Sequence, residues 1–147
     1  MSNYRNRPKG DYIQEAAWQD LHILSERWQN NLEFQLFEIE FLENLIETYF
    51  VKLLLQQNLD ELRELQRDIY QAKSQSKVLL QRINTHLNHI ADILDEPSKY
   101  DGSTFRIEHE QLEDDVSEFI INQKVVRLII FKMTKEVLQS EKPKFIL

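Results

Sequence analysis

The stretch "WQDLHILSERWQNNLEFQLFEIEFLENLIETYFVKL", residues 18–53, decides the fold. A heptad runs through it without a skip, in alternating steps of three and four: Trp18, Leu21, Ser25, Trp28, Leu32, Gln35, Ile39, Leu42, Ile46, Tyr49 and Leu53. Such steps return to one side of an α-helix every two turns, which is the seam of a packed helix. Glu26, Glu33, Glu40 and Glu47 recur every seven residues on another face and read as a solvated stripe.

No Gly or Pro ends this helix, so its end is read from "QQNLDELREL", where Asn58 can cap a new helix and Glu61 can complete a capping box. The second helix repeats the pattern through Leu65, Ile69, Ala72, Ser76, Leu79, Ile83, His86, Ile90 and Ile93. It closes at "DEPSKYDGST", where Pro97 and Gly102 interrupt and Ser103 or Thr104 can cap the third helix. That helix carries Phe105, His109, Leu112, Val116, Phe119, Gln123, Val126, Ile130, Met133 and Val137 in its seam. Its first half is acidic and its second half basic, an order that complements the helix dipole.

The expected architecture is therefore all-α: an elongated, up-down-up, antiparallel three-helix bundle with coiled-coil-like packing. Helices are expected over about 12–56, 58–96 and 104–140, within one domain spanning 11–141. A basic N-terminal tail (1–10) and a C-terminal tail (142–147) flank it. A break in "QAKSQSK" at 71–77 would make four helices, and a single helix from 11 to 96 is the other alternative. If the turns centre as read, residue i of the first helix lies near 113 − i on the second and near 86 + i on the third.

The bulk numbers agree. A chain of 147 residues that is 41% hydrophobic and 29% charged is long and apolar enough to bury a core. The 2 Gly and 3 Pro stand at segment ends, which suits long helices. The chain has no cysteine, which excludes disulfides, thiolate metal sites and a cysteine nucleophile. Basic residues at the N-terminus are not followed by an apolar run, and "VVRLIIF" at 125–131 is too short to span a membrane. A cytoplasmic protein is the expectation.

A net charge of −7 argues against nucleic acid as the main partner. The charge is uneven: residues 11–56 hold nine acids against two bases. An acidic first helix could dock a basic partner, with association that weakens in salt.

Two sets of polar residues fall in or beside the seams. Glu38 is expected amid Phe34, Phe41, Leu42, Leu45 and Tyr49, level with Gln123 and a turn from Arg127, as a buried polar layer that fixes register. The four histidines gather at one end: His22, His86, His89 and His109, with Glu26 and Glu113 each four residues after a histidine. Nitrogen and carboxylate donors from three helices could hold one transition-metal ion, zinc, iron or manganese. By helical angle His86 and His109 lie near the apolar stripes, His89 and Glu113 lie at the edge, and His22 and Glu26 point away.

Known motifs are departed from. No histidine has Glu three residues before it, as ferritin-like sites require, and "HEQLE" at 109–113 carries Glu113 where a zincin has its second histidine. The hemerythrin-type bundle needs a His-x-x-x-His partner that this chain lacks. With no glycine-rich phosphate loop and no nucleophile elbow, a non-enzyme is expected.

The first helix is apolar over more than one face. Leu36, Phe37, Phe50, Val51, Leu54 and Leu55 lie outside the main seam, as do Ile121, Val125 and Leu128 on the third helix. A three-helix bundle covers one stripe per helix, so these residues call for a second contact: another subunit, a helical partner or the C-terminal "KFIL". The reading is an interaction or scaffold module, self-associating or bound to a helical protein, with a metal-binding bundle as the alternative.

Overall fold

The computed structural model describes residues 16–99 and 101–141. Helix α1 spans Trp18–Leu54, α2 Leu59–Asp95 and α3 Gly102–Glu141, with a single 3-10 turn at Pro97–Lys99. The bundle is all-helical in its three long elements. The expected tails and the "KFIL" segment lie outside the described residues.

The seam reading holds at most positions, with Ala72, Val126 and Met133 half-buried. On α1 the heptad from Leu21 to Leu53 is buried apart from Tyr49, and Trp18 and Tyr49 are half-buried. On α2 Leu65, Ile69, Ser76, Leu79, Ile83, His86, Ile90 and Ile93 are buried, joined by Leu62. Two buried hydroxyls are satisfied within their own helix: Ser25 Oγ donates to the Leu21 carbonyl at 2.8 Å and Thr134 Oγ1 to that of Ile130 at 2.9 Å, whereas the buried Ser76 Oγ has no hydrogen-bond partner among the described residues.

The cross-links between helices fix the topology. Glu43 pairs with Lys73 and Gln29 with Asn84, so α2 descends as α1 ascends. The Arg106 guanidinium donates to the Ala16 carbonyl, Arg127 meets Glu38 and Gln56 meets Ser140, so α3 runs parallel to α1. The packing of α1 on α2 is the most extensive of the three contacts.

The three-helix reading holds: the helix through 71–77 is unbroken, with Ser76 buried in the seam. Two expectations are corrected. The first helix begins at Trp18 rather than near 12, with Ala17 extended, and 12–15 lie outside the described residues. The cap of α3 is Asp101, not Ser103 or Thr104. Its carboxylate accepts from the Ser103 and Thr104 backbone N–H groups at 3.0 and 3.3 Å and from the Thr104 hydroxyl at 2.7 Å. An acceptor at the N-cap satisfies donors that the first turn leaves open, and a carboxylate also complements the dipole.

Asn58 caps α2 as expected, accepting from Asp60 N–H at 2.7 Å. At the other end Gly102 lies under Trp18, where a Cβ would stand 3.0 Å from the indole. No helix among the described residues is long and apolar enough to cross a membrane.

Candidate functional site: a ring cluster and an apolar face

The histidine end is built by one ring-bearing turn from each helix. α2 contributes His86 to the seam, α3 contributes Phe105 and His109 four residues apart, and α1 contributes Trp28. His86 stacks on Phe105 with ring centroids 4.5 Å apart and planes 10° from parallel. Trp28 covers His109 at 4.7 Å, and Trp18 and His89 meet Phe105 edge-on at 5.4 and 4.9 Å. Arg106 sits over the Trp18 ring at 4.0 Å, a cation–π contact that closes the end of the bundle.

His86 Nε2 and His109 Nδ1 are 2.7 Å apart in the core, so one ring donates its N–H to the bare nitrogen of the other. Two nitrogens bound to one tetrahedral zinc at its usual bond lengths would stand about 3.3 Å apart. The observed separation is that of a hydrogen bond. Burial, with the positive charges of His89 and Arg82 adding to it, lowers His86 from 6.5 to about 4, so the ring is neutral at pH 7. Protonating both rings would set two N–H groups against each other.

The other candidates are placed apart. His22 Nδ1 pairs with Glu26 at 3.2 Å on the surface of α1, as their shared helix face implied. Glu113 is buried one turn after His109. Among the described residues no three His, Asp or Glu side chains stand where they could share a metal ion. Beside His86 a groove of about 430 Å³ opens between α2 and α3, lined by Arg82, Thr85, His89 and Glu108 among others. Arg82 is held there by Asp115 at 2.9 Å.

Glu38 and Arg127 form the expected pair, Oε1 to Nε 3.3 Å, with Gln123 buried one turn before Arg127. The surroundings differ from expectation. Phe34 and Phe41, expected to enclose Glu38, are 60% and 53% exposed, because the bundle covers a narrower arc of α1 than the apolar residues occupy. Glu38 therefore marks the edge of the core.

Outside that edge lies an uncovered apolar face. On α1, Ile23, Phe34, Phe37, Phe41 and Val51 are exposed, Phe37 by 71%, as is Leu55 at its C-terminal cap. At 100° per residue they fall within an arc of about 100°. On α3, Leu128, Phe131 and Leu138 are exposed, and Phe131 lines a shallow groove with Lys124, Arg127 and Leu128. Helical angles put both sets on the outer side of the α1–α3 seam, with the Glu38–Arg127 pair between them. Leu36, Phe50, Leu54 and Ile121 are half-buried and belong to the core's margin instead.

The sequence reading missed the ring partners Trp18, Trp28 and Phe105, although the level rule carried the signal: it sets Trp28 near position 85, beside His86. Compared with protein-family models, curated proteins and solved structures, the chain matches none of them.

Proposed function

We propose that this protein is an interaction module that binds a helical surface along the outer side of the α1–α3 seam. The observation that carries the reading is the uncovered apolar face itself: phenylalanines at 34, 37 and 41 flank one side of the Glu38–Arg127 pair and Leu128, Phe131 and Leu138 the other. Large contiguous apolar patches on a folded surface are characteristic of binding sites. Aromatic residues supply most of the energy at such interfaces because they bury much area at small conformational cost. Apolar residues at three- and four-residue spacing suit a helix laid into the groove between them.

The experiment is a triple change, Phe34→Glu, Phe37→Glu and Phe41→Glu, in the full chain. As a binding face it should lose association while keeping its helicity and, at concentrations where the altered and unaltered chains are both monomeric, its melting temperature, because association itself raises the melting point. A fall in that monomer melting temperature of 10 °C or more would show instead that the chain's own residues cover the face, and would refute the reading.

The metal-binding alternative rests on the histidine cluster alone. No observation in the site favours it over the His86–His109 hydrogen bond.

A further inference from the structure

The apolar face carries charges of opposite sign on its two sides. Along its α1 edge run Glu33, Glu40 and Glu47, all exposed. On its α3 side stand Lys124, Lys132 and Lys135, also exposed; at 100° per residue Lys124 and Lys135 fall between Phe131 and Leu128, and Lys132 lies beyond Leu128. Lys73 of α2 stands near the acidic rim, bonded to Glu43 at 3.1 Å, but leaves the rim acidic on balance.

The Glu38–Arg127 pair ties the levels of the two helices together, an offset of 89 residues. On that offset Lys124, Lys132 and Lys135 lie at the levels of residues 35, 43 and 46 of α1, interleaved with the three glutamates. Leu128, Phe131 and Leu138 lie at the levels of 39, 42 and 49, overlapping the phenylalanines.

Consider two copies face to face. A two-fold axis along the helices turns the acidic rim of one copy onto the basic side of the other, at matching levels. A two-fold axis across the helices brings acid onto acid and base onto base. Charge pattern thus selects both the occupant and its direction, because like charges across an interface exclude the wrong register.

We infer that the occupant of this face is a second copy of the chain, in a parallel dimer whose two-fold axis runs along the bundle. This rests on the interaction reading above and adds the partner and its orientation. In the dimer α1 of one protomer packs on α3 of its partner, twice over. The contact is isologous, so it closes at two and leaves no sticky edge.

The test uses charge reversal. Variant A carries Glu33→Lys, Glu40→Lys and Glu47→Lys; variant B carries Lys124→Glu, Lys132→Glu and Lys135→Glu. All six positions are exposed, so both variants should fold with unchanged circular dichroism. By sedimentation equilibrium the unaltered chain should be a dimer, and A and B alone should each dissociate about tenfold or more easily. Mixed in equal amounts, A and B should form a heterodimer of near-original affinity.

Because the chain has no cysteine, Gln19→Cys and Gln56→Cys can each take a single nitroxide. In the parallel dimer both label pairs should lie within about 30 Å, whereas in an antiparallel one each pair would be more than about 50 Å apart, given 1.5 Å per residue. Long distances at both ends, or a mixture that fails to pair, would overturn the parallel dimer. A chain that stays monomeric at every concentration, with the triple-glutamate variant still melting normally, would overturn the second copy as occupant. The interaction reading would then stand for a different helical partner, whereas a destabilised triple-glutamate variant would remove both.

Discussion

α1 carries two heptad stripes, and they meet different fates. The inner one, Leu21 through Leu53, is buried to within a few per cent of full coverage at most positions. The outer one, with three phenylalanines, a valine and an isoleucine, faces outward on the same 37 residues, and Leu55 extends it just past the helix end. The outer stripe is apolar through Phe34, Phe37 and Phe41 but is interrupted by Arg27, Asn30, Asn44 and Thr48, whereas the inner stripe is interrupted only by Ser25 and Gln35. Hydrophobic spacing alone therefore tells that a face wants covering, and the number of helices in the chain tells how many faces it can cover itself.

The sharpest way to break this comparison is to shorten the inner stripe. Ile39→Ala or Leu42→Ala, both fully buried, should lower stability by about 2–5 kcal/mol, read from urea unfolding. A much smaller loss at either site would mean the two stripes are alike after all.

His86 tests the one place where the inner stripe admits a titrating ring. Its value falls from 6.5 to about 4 on folding, chiefly through burial. Above pH 6.5 both states are neutral and the full stability is present. As pH falls below 6.5 the unfolded chain takes the proton first, so stability drops until about pH 4, where the native ring is protonated too. The whole excursion should be up to about 3 kcal/mol. A urea series across that window checks it, and His86→Leu should flatten the slope.

Smaller effects belong to the ends and edges. Asn58→Ala removes the cap on α2 and should cost about 1 kcal/mol, visible as a lower melting temperature. Glu38→Gln breaks a pair whose side chains are 15% and 25% exposed, and the loss should be about 1 kcal/mol or less by double-mutant cycle with Arg127→Met. Last comes the outer stripe itself: Phe37→Glu should move monomer stability by no more than about 0.5 kcal/mol. A large loss there would make the outer stripe a second core.

Much of the fold was legible because its signal is periodic. Three- and four-residue steps named the buried positions of all three helices, and the level rule put residue 29 opposite residue 84, where Gln29 and Asn84 do meet. Helix ends were harder. With Asp101, Ser103 and Thr104 adjacent, three side chains compete for the same cap, and only backbone geometry decides among them. The site was legible in its membership but not its chemistry. Angle and level gather His86 and His109, yet whether two imidazoles hydrogen-bond or chelate depends on differences of half an ångström that side-chain rotamers set. Glu38 was assigned the right partner, Arg127, but the wrong depth, since the width of the covered arc is a property of three helices together.

The four-residue connection from Leu55 to Asn58 has a consequence in time rather than in space. The most extensive packing joins α1 and α2, neighbours along the chain, so little loop-closure entropy opposes that hairpin. α3 follows α2 through a comparably short connection, but its contacts with both helices are smaller, which makes it the last element to attach and the first to detach. The outer apolar face needs α1 and α3 side by side. It therefore exists only in the finished molecule, and a nascent chain holding the α1–α2 hairpin alone would display the phenylalanines without the lysines that select their partner.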